Sequence, residues 1–141
     1  MQPTIKKAKE LKKEYKLYFN HANFEELKGK KIIDIQVDLE YDKIYFLTDD
    51  LKFFFMFHEQ QCCESVWIEE LDNIENIKGQ KILYAEEIQQ RDEKKDQTWT
   101  FYKIDTLHSS HTLRWCGQSN GYYSESVDLF MVDFKYWVDY F

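Results

Sequence analysis

Residues 53–68 read FFFMFHEQQCCESVWI, and this stretch contains the pattern that the rest of the chain repeats. Its first five residues are apolar and have the length of a buried strand. A polar corner at residues 58–64 follows them, and a second strand pattern begins at Val66. Ahead of this stretch, turns at residues 40–43 and 49–50 separate further strand patterns, and such short gaps indicate an antiparallel meander.

Strand and turn patterns alternate on both sides of this corner. Strand-like segments occupy residues 31–38, 44–47, 65–71, 80–89, 98–107, 111–116 and 126–132. Ile74 and Ile77 have the spacing of a single helical turn that ends at Gly79, and the polar residues 90–96 predict a mobile loop. The sequence therefore predicts an α+β fold that is mainly an antiparallel β meander of about seven or eight strands.

An amphipathic helix is predicted at residues 4–19, ahead of the strands. Thr4 is a suitable N-cap residue. Behind it, apolar residues recur every three or four positions: Ile5, Ala8, Leu11, Tyr15, Tyr18 and Phe19. This stripe predicts that the helix packs on the sheet. The lysines from Lys6 to Lys16 lie largely off the stripe, so they form the one segment suited to direct contact with nucleic acid.

Length and composition predict a single domain over residues 1–141. The chain is 43% hydrophobic and 18% aromatic, which is enough for a substantial core. Residues 1–23 form a basic N-terminal helical region, and residues 131–141 form an aromatic C-terminal extension that is a candidate contact for homo-oligomers. No apolar run is long enough to span a bilayer, and no apolar segment follows the N-terminal lysines, so we expect a cytoplasmic protein without a membrane partner.

Charge is distributed unevenly along the chain. Residues 1–23 have a net charge of +4, and residues 24–141 have a net charge of −11. An acidic body of this kind repels nucleic acid over most of its surface. It suits a basic protein as partner, or a protein–nucleic-acid complex with a basic groove.

The three cysteines cannot all form pairs, and two of them are adjacent. Neighbouring cysteines lie outside normal disulfide geometry. In a reducing cytoplasm we therefore expect free thiols, some of them buried.

One short repeat is visible in the sequence. Glu-Ser-Val occurs at residues 64–66 and again at 125–127, in each case after a strand and a glutamine. This repeat predicts two similar β-corners that are neighbours in space, although no longer period accompanies it.

Two blocks resemble a family of small phage and bacterial proteins whose function is not known. The first block includes the corner HEQQCCE at residues 58–64, which is similar to the family's His-x-Gln-Asp-Cys-Cys-Glu pattern. The second includes the segment SNGYYSE at residues 119–125. The resemblance covers about residues 27–130, which implies a family-like β core between the N-terminal helix and the aromatic extension. Gln61 stands where the family pattern has Asp, so a role of that acid in metal or proton chemistry is in doubt for this chain.

The corner has several possible roles. Ligand types for zinc are present at His58, Cys62, Cys63, Glu64 and Cys116. Adjacent cysteines in a strand point to opposite faces, so we expect neither a metal nor another cofactor. A thiol nucleophile would pair Cys62 or Cys63 with His58 or His111, but no oxyanion signature accompanies them, and no catalytic residue is assigned.

Two further roles of the corner stay open. In the structural one, polar side chains of the corner form hydrogen bonds with the backbone of the second corner, around residues 120–124. In the other, the two corners form a recognition surface. Its predicted residues are His58, Gln60, Cys62, Cys63, Glu64, Arg114, Trp115, Asn120, Tyr122 and Tyr123.

The predicted function is that of a small, acidic, non-enzymatic binding protein of phage or mobile-element type, acting in the host cytoplasm. Its concrete form is an inhibitor of a host defence nuclease, such as a CRISPR effector, whose basic groove accepts carboxylates in place of phosphates. The alternative is a protein that sequesters a small ligand such as a nucleotide, or a minor metal- or thiol-dependent enzyme. Only two arginines are present in the chain, which is few for phosphate recognition.

Overall fold

A computed structural model describes residues 4–15, 20–119 and 122–134. Within these ranges the chain forms one α-helix, two 3-10 helices and nine strands. In chain order they are α1 (Ile5–Tyr15), β1 (Asn20–His21), the first 3-10 helix (Phe24–Leu27), β2 (Ile32–Asp38), β3 (Lys43–Thr48), β4 (Lys52–Phe57), β5 (Ser65–Glu70), the second 3-10 helix (Ile74–Ile77), β6 (Tyr84–Asp92), β7 (Gln97–Asp105), β8 (Ser110–Gln118) and β9 (Asp128–Asp133).

The strands form two sheets, and all the strand pairs are antiparallel. One sheet has the order β1-β9-β4-β3-β2 and the other has the order β5-β8-β7-β6. The predicted α+β class, mainly antiparallel β with an N-terminal helix, is confirmed. The chain changes sheet after β4, because β5 joins the later strands, and it returns with β9.

A hydrophobic core lies between the two sheets. Among its largest side chains, each at most 1% exposed, are Phe46 and Phe54 from the five-stranded sheet and Tyr102 and Trp115 from the four-stranded sheet. Both 3-10 helices insert apolar residues into the same core. The core therefore joins the sheets into a sandwich.

Helix α1 covers the outer face of the five-stranded sheet, as its apolar stripe predicts. Ile5, Ala8 and Leu11 are buried there in a second apolar cluster that includes Phe53 and Phe55. The Thr4 hydroxyl accepts a hydrogen bond from the Lys7 N–H at 3.1 Å, which confirms Thr4 as the N-cap. Residues 16–19 of the predicted helix lie outside the described residues, as do residues 135–141 of the aromatic extension.

Two segments repeat each other at a spacing of 50 residues. Residues 24–32 read FEELKGKKI and residues 74–82 read IENIKGQKI, with five identical positions of nine. Each segment contains a 3-10 helix and is followed by three consecutive strands of one sheet, a corner, and one strand of the other sheet. The two halves of the chain therefore have the same order of elements. The last strand of each half, β5 or β9, joins the sheet of the other half.

Reciprocal backbone hydrogen bonds join the two segments. The Gly29 N–H donates to the Ile82 carbonyl at 2.7 Å, and the Gly79 N–H donates to the Ile32 carbonyl at 2.6 Å. Both glycines have a positive φ, near +85° and +83°, which glycine adopts without steric cost. Such reciprocal hydrogen bonds are expected when an approximate twofold axis relates the two halves.

The repeat includes more of the chain than the Glu-Ser-Val segments, although it has no constant period. The offset between halves grows from 50 residues at the 3-10 helices to 61 at the Glu-Ser-Val segments. The cause is the length of the strands, since β6, β7 and β8 have nine residues each and β2, β3 and β4 have six or seven. A search for a constant period does not detect a repeat of this kind.

The predicted mobile loop at residues 90–96 is strand over residues 90–92, so that part of the prediction was wrong, and a turn over residues 93–96. Strand β6 extends to Asp92 and β7 begins at Gln97, so most of this polar segment belongs to a tight hairpin. Asp96 adopts a positive φ of 49°, as hairpin turns require. The strand continues through polar residues because it pairs along its whole length with β7.

Among the described residues, no helix has the length and apolar character needed to cross a bilayer.

Candidate functional site

The first corner, residues 58–64, is organised around the buried carboxylate of Glu64. The His58 ring bonds this carboxylate through Nε2 at 2.7 Å. The backbone N–H groups of Gln61 and Cys62 each donate to it at 2.8 Å. The Gln60 side chain donates to the Glu64 carbonyl at 2.5 Å, so the corner closes on itself.

These contacts hold Glu64 in its ionised form. Burial would raise the pKa of Glu64, but the hydrogen bonds from His58 and from the backbone of Gln61 and Cys62 lower it to about 2. The Glu64 side chain is fully buried and that of His58 is 4% exposed. The pair therefore has the character of a structural ion pair, with no open position for a substrate.

Cys62 and Cys63 are joined by a disulfide, so the prediction of free thiols was wrong for these two residues. The two residues lie in a bend outside the strands, where the alternation of side chains to opposite faces does not apply. Cys116 is free and buried, as predicted for at least part of the thiols. Burial raises the pKa of its thiol, and the nearby Glu69 and Glu125 raise it further, so the neutral thiol is favoured.

The second corner, residues 119–126, contains a buried glutamate in the equivalent place. Glu125 is 7% exposed and forms an ion pair with Arg91 and a 3.3 Å hydrogen bond with the Thr98 hydroxyl. Its backbone lies so close to Gly117 that a Cβ there would come within 2.6 Å of the Glu125 carbonyl oxygen. Each Glu-Ser-Val segment thus buries a carboxylate beside a basic side chain before its strand begins.

The two corners are in contact, which confirms their predicted proximity. The His58 ring bonds the Ser126 carbonyl through Nδ1 at 2.7 Å, and the Gln61 side chain accepts the Ser124 N–H at 3.3 Å. The detail differs from the prediction, because Gln60 and Glu64 bond within their own corner. Glu64 needs its lone pairs for local N–H groups, so Gln61 provides the connection instead.

A cavity of about 440 Å³ lies where the corners meet. It is lined by Cys63, Glu64, Ser65, Lys95, Asp96, Gln118, Ser119 and Tyr123. Apart from the fully buried Glu64, its charged lining residues are Asp96 and Lys95, so the cavity has no excess of positive charge for a phosphate ligand. Both arginines already pair with carboxylates, Arg91 with Glu125 and with Asp96 of the cavity lining, and Arg114 with Glu69 and Glu70.

Other predicted site residues are dispersed over the molecule. Trp115 is 1% exposed and belongs to the core between the sheets. Arg114, the preceding residue of β8, lies on the opposite face of the sheet. Tyr122 is 86% exposed, Tyr123 borders the cavity, and Asn120 lies outside the described residues.

In the part of the chain that the structure describes, no side chains are arranged as a metal site, and no histidine is placed as the base for a cysteine nucleophile. No group of three or more His, Cys, Asp or Glu side chains is placed there to hold a metal ion. His111 bonds the Asp72 carbonyl at 2.6 Å and the Ser109 hydroxyl at 2.8 Å. It is therefore a buried structural histidine instead of a base for Cys62 or Cys63.

The sequence reasoning missed an aromatic surface on the outer side of the four-stranded sheet, which we call the aromatic face. Strand register places Trp67 and Trp99 on either side of Cys116, and Phe101 between Arg114 and Ile88. The apolar members, Trp67, Ile88, Trp99 and Phe101, are partly exposed and belong to neither apolar cluster.

The aromatic face is the counterpart of the face that α1 covers on the five-stranded sheet. Carboxylates surround its rings: Glu69 accepts the Trp99 indole N–H at 3.2 Å, and Glu69 and Glu70 both pair with Arg114. The aromatic face could have been found in the sequence from the alternation of β7, which places Trp99 and Phe101 on one side and Thr98 and Thr100 on the other.

The comparisons with curated proteins and with solved structures gave no match. A family described as a domain of unknown function, DUF7448, matches residues 25–129. The match contains both corners, the second 3-10 helix, all but the first residue of the first 3-10 helix, and all four strands of the aromatic face. It covers well over half of the chain, and the protein therefore belongs to the DUF7448 family.

Proposed function

We propose that this protein is a non-enzymatic binding protein that recognises a basic protein partner through the aromatic face. The observation that carries this proposal is that none of the described helices packs on this face. On the five-stranded sheet the corresponding side is buried by α1, whereas Trp67, Trp99 and Phe101 remain partly exposed on the other sheet. Partly exposed aromatic residues grouped on one surface are typical of a protein interface.

The composition of the aromatic face supports a protein as the partner. Tryptophan and arginine are among the residues that contribute most to binding energy at interfaces. Trp99 and Arg114 are both held in place by Glu69, so part of the surface is ordered before binding. Preordered side chains lose less conformational entropy when a complex forms.

Charge supports a basic partner. The protein has a net charge of −7, and residues 24–141 are more acidic still. The aromatic face contributes Glu69, Glu70 and Glu86, against Arg114 and Lys103. A negative surface attracts a positively charged partner and so accelerates association with it. The same surface repels nucleic acid.

A specific form of the proposal is inhibition of a host defence nuclease by a protein of phage or mobile-element origin. The basic groove of such an enzyme has the charge that this surface complements. Sequestration of a nucleotide is the weaker alternative, because both arginines already pair with carboxylates.

The test uses affinity capture from the host cell, followed by binding measurements with the purified partner. The double variant Trp99→Ala/Phe101→Ala should weaken binding at least tenfold. The control variant Leu107→Ala removes an apolar side chain that is 77% exposed outside the aromatic face and should leave affinity unchanged. Thermal unfolding of each variant shows whether the fold is retained.

Salt dependence supplies a second, independent readout. Raising the NaCl concentration from 50 to 500 mM should weaken the complex, because screening reduces attraction between opposite charges. Binding that is unaffected by both the double variant and salt would contradict the proposal. A thermal shift with nucleotides and none with protein partners would favour the alternative.

A further inference from the structure

The disulfide between Cys62 and Cys63 lies at the surface of the first corner. Both cysteines are exposed, and Cys63 also borders the cavity of about 440 Å³ where the two corners meet. Thiol–disulfide exchange requires that a thiolate reach one of the two sulfur atoms. A small thiol, or an exposed thiol of another protein, therefore has access to this bond from solvent.

Cys116, the third cysteine, does not compete for this exchange. It is 3% exposed, and burial together with the charges of Glu69 and Glu125 raises the pKa of its thiol. A buried neutral thiol reacts slowly with a disulfide, because the thiolate is the attacking species. Exchange of sulfur bonds in this chain is therefore confined to Cys62 and Cys63.

The disulfide restricts the backbone of the first corner. Because the two cysteines are neighbours in sequence, their sulfur atoms close a small ring that includes the peptide group between them. Ring closure limits rotation about the backbone bonds on either side of that peptide group, and reduction restores this rotation. The redox state of the pair therefore determines how many conformations are available to the backbone at residues 62–63.

The restricted backbone belongs to the hydrogen-bond network of Glu64. The Cys62 N–H donates to the Glu64 carboxylate at 2.8 Å, and the Cys62 carbonyl accepts a hydrogen bond from the Gln60 side chain at 3.2 Å. Both polar groups of the Cys62 backbone are thus used within the corner. A change of conformation at Cys62 alters the position of these groups relative to Glu64.

Gln61 connects this network to the second corner. Its N–H donates to the Glu64 carboxylate at 2.8 Å, and its side-chain oxygen accepts the Ser124 N–H at 3.3 Å. Gln61 immediately precedes Cys62, so a change of backbone conformation at Cys62 displaces Gln61 as well. Its link to Ser124 is one long hydrogen bond between exposed groups, and a small displacement is enough to break it.

A second link between the corners does not involve the cysteines. The His58 ring bonds the Ser126 carbonyl at 2.7 Å, and the His58 side chain is 4% exposed. This link is shorter and better buried than the one from Gln61 to Ser124. The corners therefore remain together through His58 when the contact of Gln61 is lost.

We propose that Cys62 and Cys63 form a thiol–disulfide switch that controls the contact between Gln61 and Ser124. In the oxidised form, the closed ring holds Gln61 against the second corner. Reduction by a dithiol transfers two electrons and two protons to the pair: the bond between the two sulfur atoms breaks, two thiols form, and the dithiol becomes a disulfide. The contact of Gln61 with Ser124 is then released, and the wall of the cavity at Cys63 is free to move.

The first experiment measures the redox equilibrium of the pair in buffers with different ratios of reduced to oxidised glutathione. Samples are quenched with acid, unfolded, alkylated and analysed by mass spectrometry. We expect one reversible transition between a form with one labelled thiol and a form with three. A pair that stays oxidised at every ratio, or reduced at every ratio, would overturn the proposal.

The second experiment compares amide hydrogen exchange in the oxidised and reduced ¹⁵N-labelled protein by NMR. Reduction should accelerate exchange of the Ser124 amide at least about threefold, because its hydrogen-bond acceptor is released. The amide of Val127, which follows the Ser126 carbonyl held by His58, should exchange at the same rate in both forms. Equal Ser124 exchange in both forms would overturn the proposal, and equal acceleration at Ser124 and Val127 would replace the switch with general loosening of the corners.

Matched variants locate the effect. Cys62→Ser/Cys63→Ser cannot form the disulfide and should show fast Ser124 exchange with and without reductant. Cys116→Ala removes the remaining thiol and should respond to reduction as the wild type does. Gln61→Ala should accelerate Ser124 exchange in the oxidised protein, and reduction should then add no further change. A full response to reduction in Gln61→Ala would refute the link through Gln61. The two redox forms of the wild type test the switch even if a variant does not fold.

This inference does not rest on the proposed function, because the switch residues lie in the corners and not on the aromatic face. Unchanged Ser124 exchange would reject the switch and leave the proposed function standing. Partner binding that ignores both Trp99→Ala/Phe101→Ala and salt would reject the proposed function and leave the switch standing.

Discussion

Replacement of Gly117 by alanine tests how the second corner packs on the four-stranded sheet. A Cβ at residue 117 would lie 2.6 Å from the Glu125 carbonyl oxygen and 2.8 Å from the Glu125 Cβ. Ordinary contacts of a Cβ are at least about 3.4 Å, so a backbone shift of several tenths of an ångström is needed. Overpacking of this kind costs about 1–3 kcal/mol. Relief of the glycine's entropy cost in a strand offsets about 0.5–1 kcal/mol.

The expected net loss for Gly117→Ala is therefore between about 0 and 2.5 kcal/mol in the free energy of unfolding, measured by urea denaturation. Gly79→Ala is the control, because no atom lies within 4 Å of an added Cβ there but φ is +83°. Its cost of about 1–2 kcal/mol arises from backbone conformation alone. Introducing Gly117→Val should cost more than Gly117→Ala, since the larger side chain meets the same backbone. A stability of Gly117→Ala and Gly117→Val equal to that of the wild type would refute the close approach of Glu125.

Three further predictions concern the first corner and the repeat. The folded-state pKa of Glu64, about 2, is below the ordinary 4.5, so its stabilising effect is complete above about pH 4.5 and is lost as pH falls towards 2. Unfolding free energies of Glu64→Gln should depend less on pH in that window, and a dependence equal to that of the wild type would contradict the network. Leu27→Ala and Ile77→Ala remove equivalent, fully buried side chains of the two halves and should each cost about 2–5 kcal/mol in urea denaturation; a cost below about 1 kcal/mol for either would argue against the repeat. Alkylation of the unfolded protein, followed by mass measurement, should label one thiol without reductant and three after reduction, whereas three labels without reductant would exclude the disulfide between Cys62 and Cys63.

The approximate twofold plan explains why the two sheets differ in their outer faces. Helix α1 precedes the first 3-10 helix and reaches back over the five-stranded sheet. The second 3-10 helix follows β5 after only three residues, Leu71 to Asn73, so no helix precedes it to cover the four-stranded sheet. The same fold unit therefore has one covered and one partly exposed apolar face.

Helix position and strand content could be predicted from the sequence because both arise from local patterns. The run at residues 53–57 forms β4, and the stripe from Ile5 to Leu11 packs on a sheet as its spacing indicates. The two corners were identified from their unusual residues and the repeated Glu-Ser-Val. The strand exchange between halves was not predictable, because pairing of β5 with β8 and of β4 with β9 depends on contacts distant in sequence.

The sequence by itself determined the alternation of side chains along each strand, which depends only on backbone geometry. The tertiary structure alone decided which side of the four-stranded sheet is the core. Trp99 and Trp115 lie on paired strands with similar alternation, yet Trp115 is buried between the sheets and Trp99 belongs to the aromatic face. Alternation shows which residues share a side, whereas burial requires a second layer, and the residues that the structure describes place that layer over only one side of this sheet.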